Sequence, residues 1–169
     1  MLWVQQPHIN FFRRYLKMKI YITLICLLIS LSGGRLDYVK SFYDNGNLKA
    51  EGWIKNELKQ NYWYYYYPQG HVKSKGKFQD NKKAGYWFYY NETGLKTKEG
   101  HYKNGMATSW WNYYKEDTIV SVELVDGKRE GLALYKVNGK PVKAEYYVKG
   151  ERTHEWFSLK EFRENPIDL

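Results

Sequence analysis

The sequence predicts an all-β protein: an elongated single antiparallel sheet of tandem β-hairpin repeats, with an N-terminal signal helix and a short C-terminal cap. Three observations carry this. An aromatic segment recurs, Tyr62-Trp63-Tyr64-Tyr65-Tyr66-Tyr67-Pro68-Gln69-Gly70 and then Tyr86-Trp87-Phe88-Tyr89-Tyr90-Asn91-Glu92-Thr93-Gly94, with a step of 24 residues. Two glycine columns, Gly46/Gly70/Gly94 and Gly52/Gly76/Gly100, keep that same step of 24. Aromatic residues make up 19% of the 169-residue chain, with 18 Tyr and seven Trp. Rings of this kind bury much area per residue while Tyr keeps a polar tip, so a thin sheet can hold together with few aliphatic side chains. Copies of one small unit at fixed period mark a repeat array, which builds extended surfaces rather than one asymmetric pocket.

Residues 1–34 read as a leader. Ile20 to Leu31 is a short apolar run behind Arg13, Arg14, Lys17 and Lys19, followed by Ser32-Gly33-Gly34. A membrane-spanning helix needs about 20 apolar residues, whereas a basic flank, a short apolar run and small residues are the layout of an export signal. Cleavage is expected between Ser32 and Gly33, with translation starting at Met1 or at Met18, and an uncleaved signal anchor is the alternative. Either way the array is expected outside the cytoplasm: secreted, periplasmic or envelope-associated. Cys26, the single cysteine, lies inside the apolar run, so no disulfide framework and no cysteine metal site is expected.

The array is expected over residues 38–157. In each unit an aromatic strand precedes the first glycine column and a second strand follows it, as Leu48 to Ile54, Val72 to Phe78 and Lys96 to Tyr102. Asp44-Asn45-Gly46, Pro68-Gln69-Gly70 and Glu92-Thr93-Gly94 join the two, since glycine supplies the positive φ of a tight turn. Asn104-Gly105 and Asp126-Gly127 close successive units, the fourth unit restores its inner turn at Asn138-Gly139, and Val148-Lys149-Gly150 follows 23 residues after Gly127. The third unit is two residues short and has Thr118 where a turn glycine is expected, while Ser109 and His154 replace the closing glycine seen as Gly85 and Gly131. Distortion is expected in those units. Residues 158–169 form the cap, with Ser158-Leu159-Lys160-Glu161 at capping-box spacing ahead of Asn165-Pro166.

Alternation along a strand sorts the columns onto two faces. One face should take Val39, Trp63, Trp87, Trp111, Ala133 and Trp156 with Ser41, Tyr65, Tyr89, Tyr113, Tyr135 and Ser158; the other takes Tyr64, Phe88, Asn112 and Leu134 with Phe42, Tyr66, Tyr90 and Tyr114. The glycines Gly52, Gly76 and Gly100 are expected to make room for a ring lying across the neighbouring strand.

The segments Lys82-Lys83-Ala84-Gly85-Tyr86-Trp87 with Tyr89-Tyr90, and Asp126-Gly127-Lys128-Arg129-Glu130-Gly131 with Tyr135, resemble bacterial MORN-type repeats, including those of YwqK-like antitoxin proteins. The resemblance covers Tyr38 to Trp156. It implies a hairpin-repeat fold and, for some relatives, an antitoxin role, which an export signal would redirect to an immunity protein neutralising a toxin outside the cytoplasm.

The formal charge is +9, and setting aside the four leader cations leaves 23 Lys and Arg against 18 Asp and Glu, a net +5. Bases and acids alternate along the array, which argues against nucleic acid as a partner and against membrane contact other than through the signal segment. His71, His101 and His154 share no metal-ligand spacing, and no nucleophile-base motif or P-loop occurs. No enzyme activity, metal or cofactor is therefore expected. The candidate binding residues are Trp63, Tyr65, Trp87, Tyr89, Trp111, Tyr113 and Tyr135, because exposed Trp and Tyr are enriched where partners bind. The expected partner is a protein or peptide, with a cell-envelope glycan stacked on the rings as the alternative.

Overall fold

The computed structural model describes residues 13–21 and 34–167. The chain divides into two compact units, Met1–Arg35 and Leu36–Leu169. In the first, residues 13–21 are helical and exposed. Apart from Ile20 and Tyr21, the expected export segment and its cleavage site lie outside the described residues. No described helix is long and apolar enough to cross a membrane.

The second unit is one open antiparallel sheet of 11 strands in sequential order. These are β1 (Leu36–Phe42), β2 (Leu48–Lys55), β3 (Leu58–Tyr66), β4 (Val72–Gln79), β5 (Lys82–Tyr90), β6 (Lys96–Lys103), β7 (Met106–Lys115), β8 (Thr118–Val125), β9 (Lys128–Val137), β10 (Lys140–Val148) and β11 (Glu151–Trp156). Every strand is hydrogen-bonded to the next in the chain, so all connections are hairpins. At the usual strand spacing, 11 strands extend about 50 Å across the sheet.

Two kinds of turn alternate. On one rim the longer loops repeat a single geometry: the amides of Tyr43, Tyr67 and Asn91 donate to the carbonyls of Asn47, His71 and Leu95 at 2.8–2.9 Å. Gly46, Gly70 and Gly94 each take positive φ there, at 84°, 96° and 82°. On the other rim the turns are two-residue, with both central residues at positive φ, as in Asp80-Asn81 and Asn104-Gly105. That is the turn whose twist matches a right-handed hairpin, and Asn, Asp and Gly tolerate it best. In the shortened third unit Glu116 and Asp117 make the turn between β7 and β8, and Thr118 is already the first residue of β8.

The substitution of Ser109 leaves its unit undistorted. Asn61, Gly85, Ser109 and Gly131 occupy one bulge position, and all have positive φ, at 56°, 64°, 57° and 79°. Serine therefore adopts the glycine conformation at that place. A left-handed conformation costs an L-residue about 1–2 kcal/mol, and glycine's greater chain entropy offsets part of this. Ser109→Gly is expected to stabilise the protein by about 0.5–1 kcal/mol, read as a higher midpoint of urea unfolding at unchanged slope.

At His154 the irregularity is real and has a large consequence. In β3, β5 and β7 the bulge inserts two residues, so that Gly76 pairs with Trp87 while Lys77 pairs with Ala84. In β11 only one is inserted, since Tyr146 pairs with His154 and Tyr147 with Arg152. One residue fewer reverses the side-chain parity beyond it. Trp156 consequently pairs with Ala144 and points to the face opposite Trp111, correcting the expectation that it continues the tryptophan column.

There Trp156 meets the cap edge-to-face, 5.1 Å from Phe162, and its indole N–H donates to the Asn165 carbonyl at 2.9 Å. The cap is a short helix, Leu159–Glu164. Its N-cap Ser158 accepts from the Glu161 amide at 3.1 Å, and the Glu161 carboxylate reaches one residue further back than in a capping box, to the Phe157 amide at 2.8 Å. Ser158 thus serves the helix and not the tyrosine column.

Candidate binding face

Trp63, Trp87 and Trp111 lie on one face of the sheet, directly opposite Gly52, Gly76 and Gly100. Each indole lies flat on its glycine: a Cβ added to Gly76 would fall inside the van der Waals envelope of the Trp87 ring, and the same holds for Gly52 with Trp63 and Gly100 with Trp111. The sheet surface itself is the floor of the ring. Each indole N–H donates to a backbone carbonyl where the opposing strand meets the bulge, Trp63 to Trp53 at 2.9 Å, Trp87 to Lys77 at 3.0 Å and Trp111 to His101 at 3.1 Å.

Walls and a roof complete the seat. Phe78 meets Trp87 edge-to-face at 5.0 Å and 89°, and Tyr102 meets Trp111 at 5.0 Å and 90°. Such contacts contribute about 0.5–1.5 kcal/mol beyond area burial. Lys83 places its ammonium 4.4 Å above the Trp87 ring and Lys59 lies 4.7 Å above Trp63. The lysine stems cover apolar surface while the heads stay polar, an arrangement that lets a one-layer sheet close over its own core. The result is near-complete burial, with relative exposures of 6%, 0% and 2% for Trp63, Trp87 and Trp111.

The seven residues singled out in the sequence therefore separate. Trp63, Trp87 and Trp111 are interior and present no ring to a partner. Tyr65, Tyr89 and Tyr135 are half-buried beside them and Tyr113 is exposed, all four on this same face. The tyrosine hydroxyls join the roof: Lys59 donates to Tyr65 at 2.7 Å, Lys83 to Tyr89 at 2.8 Å, and the hydroxyls of Tyr89 and Tyr102 are 2.9 Å apart. Burial and the Tyr102 hydroxyl push the Tyr89 phenol well above its usual range.

The cations form a pattern that alternation in the sequence concealed. Lys59, Lys83 and Arg129 share this face, paired across from Ile54, Phe78 and Leu124, and Lys98 joins them opposite Tyr89 and Tyr113. Lys49 and Lys73 are the inserted residues of the bulges on the longer-loop rim, and line a shallow depression with Tyr43, Tyr65 and Lys83. Of the carboxylates from β2 to β9, Glu51, Glu99 and Glu123 point to the other side, as their partners Tyr64, Phe88 and Trp110 do, Glu130 accepts from the Lys149 amide at the rim, and Asp80 lines a turn hollow with Lys83. None of the ion pairs of the described residues involves Lys59, Lys83 or Lys98. Burial, with the charges of Lys98 and Lys59 adding to it, lowers the Lys83 pKa.

The opposite face is balanced. Lys40 pairs with Glu51 at 3.7 Å and Lys96 with Glu99 at 2.9 Å, and Glu51 and Glu99 accept hydrogen bonds from the Tyr66 and Tyr114 hydroxyls. Tyr38, Phe42, Trp53, Tyr62 and Trp110 are its exposed rings.

The tryptophan row ends at β7. Val122 faces Ala133 where earlier units have Gly facing Trp, and in the next unit Glu145 stands in the glycine column. Its carboxylate is buried and accepts from Lys143, Arg152, Tyr135 and Tyr147 at 2.6–2.8 Å. Burial opposes its ionisation, but the bonds from Lys143, Tyr135, Arg152 and Tyr147 outweigh this and lower the pKa to about 2. This knot of charge closes the apolar row as the cap closes the other face.

His71 bonds the Glu92 carbonyl, His101 meets Tyr86 edge-to-face and His154 stacks on Trp156. Among the described residues no group of three His, Cys, Asp or Glu side chains could hold a metal ion.

Fold and surface together define a hairpin-repeat sheet with one face that is aromatic and basic. Neither a protein-family model nor a curated protein matches the chain.

Proposed function

We propose that the protein is an exported, non-enzymatic scaffold of the MORN-type repeat class that binds a protein or peptide across its aromatic sheet face. The observation that carries this reading is the row Tyr65, Tyr89, Tyr113 and Tyr135, held in place by buried tryptophans and lysines yet reachable from solvent. A ring whose position is fixed before binding loses little conformational freedom on contact, which is why rigid aromatic anchors dominate binding energy. Export is supported by the basic flank and short apolar run of the leader.

The test uses the full chain against a displayed peptide library, followed by measurement of selected ligands. Tyr89→Ala combined with Tyr113→Ala is expected to weaken binding at least about ten-fold while the thermal transition remains cooperative. Unchanged binding in a folded double variant contradicts the reading. Trp87→Ala is not a clean test, since that indole belongs to the core.

A further inference from the structure

Resting on the peptide-binding reading, we propose that the tryptophan-seated face selects an acidic peptide in an extended polyproline conformation, with a carboxylate at every third residue. Charge complementarity decides the sign of the ligand. Six cations, Lys49, Lys59, Lys73, Lys83, Lys98 and Arg129, share this face between β2 and β9, while the paired glutamates Glu51, Glu99 and Glu123 of those strands point away from it. Lys59 and Lys83 each give one hydrogen bond to a tyrosine hydroxyl and lie over an indole, which fixes the ammonium and leaves it further N–H donors. Lys59 and Lys98 set like charge against Lys83, which a carboxylate bound there would offset.

Spacing decides the shape of the ligand. Lys59 and Lys83 are equivalent positions on β3 and β5, two strands apart, so their backbone positions are separated by about 9–10 Å. Residues i and i+3 of a polyproline helix lie on one side about 9 Å apart. In a β-strand same-side residues are about 7 Å apart and i+3 points the opposite way, so a ligand in strand conformation falls out of step. Tyr65 and Tyr89, half-buried beside the lysines and hydrogen-bonded to them, are flat partners for the proline rings of such a peptide, the pairing by which aromatic grooves hold polyproline ligands.

The probe is a fluorescein-labelled 12-residue peptide, Glu-Pro-Pro repeated four times, titrated by the full chain and followed by fluorescence polarisation. It is expected to bind at least about ten-fold more tightly than Gln-Pro-Pro repeated four times, and more tightly than a peptide of the same composition with its glutamates contiguous. Lys59→Gln combined with Lys83→Gln should weaken it at least about ten-fold, since glutamine keeps a donor for the tyrosine hydroxyl but removes the charge. Lys75→Gln, on the other face, should change it less than about two-fold. Lys98→Gln alone provides a milder variant if the double change fails to fold, with a weakening of about three-fold or more expected.

Equal binding of the contiguous peptide overturns the spacing. Equal binding of the neutral peptide overturns the charge selection, and the peptide-binding reading survives that result provided Tyr89→Ala still weakens it. Binding of single-stranded DNA, a sulfated oligosaccharide or anionic vesicles about ten-fold tighter than the acidic peptide overturns the proposal in favour of that ligand. Absence of binding by every peptide overturns the reading on which it rests.

Discussion

Gly76→Val is expected to destabilise the protein by about 3–5 kcal/mol, although glycine ordinarily weakens a strand interior. The added side chain needs the volume that Trp87 occupies against the strand. The indole must then leave its seat, with its bond to the Lys77 carbonyl, its edge contact with Phe78 and its roof from Lys83. Trp87→Ala alone should cost a similar amount by leaving the seat empty. The two changes together should cost less than their sum by about 1–3 kcal/mol, the coupling expected of residues in direct contact. The chain already contains the compensated pair, for Val122 faces Ala133 in these same two columns and both are buried. Urea unfolding of the four proteins of the cycle measures the coupling. Additive losses would show that glycine and tryptophan do not share one space.

Glu145→Gln is expected to cost about 2–3 kcal/mol at neutral pH. Breaking a fully buried ion pair costs about 3–5 kcal/mol, and the lower figure reflects that Lys143 and Arg152 still reach water when their partner is gone. The same carboxylate gives the protein a definite acid response. Its folded pKa, about 2, is below the 4.5 of an unperturbed glutamate, so its stabilisation is complete above pH 4.5 and is lost as pH falls towards 2. At about 1.4 kcal/mol per pKa unit the loss is roughly 3 kcal/mol across that window. Subtracting the pH profile of Glu145→Gln from that of the native chain isolates this contribution from Glu51 and Glu99, whose pKa values are also lowered. A difference that stays flat between pH 5 and 2 would remove Glu145 as the acid-sensitive group.

The sheet and its hairpin order were legible because the glycine and aromatic columns carry a single step, and the Gly–Trp contact was legible because their strands pair. The fate of Trp156 was not, since its face depends on whether a bulge inserts one residue or two. His154 announces that an irregularity exists without revealing its size. Ser109 misled in the opposite direction: a small polar side chain can hold the left-handed conformation, so losing a glycine did not lose the bulge. Burial of the tryptophans was hidden by treating the two faces as a choice between packed and exposed. Lys59 and Lys83, four positions before Trp63 and Trp87, make a third arrangement in which those rings are covered from within their own face.

Charge was the most misleading feature. Lys and Glu alternate along the strands, and alternation in a strand is segregation in a sheet: Lys98 and Glu99 are adjacent in sequence and point to opposite faces. The mixed appearance of the sequence is therefore what separates a basic face from a balanced one. Lys59, Lys83 and Arg129 stand four positions before Trp63, Trp87 and Ala133, a column of cations visible in the repeat itself.

We propose that the tryptophan-seated face, and not its reverse, is the surface that meets a partner. Nuclear magnetic resonance of the full chain, titrated with the Glu-Pro-Pro peptide, tests it most directly. Ring and side-chain signals of Tyr65, Tyr89, Tyr113 and Lys83 are expected to shift together, while those of Tyr64, Phe88 and Trp110 on the reverse face stay in place. Shifts concentrated on Tyr38, Trp53, Tyr62 and Trp110 would assign binding to the opposite face and contradict it.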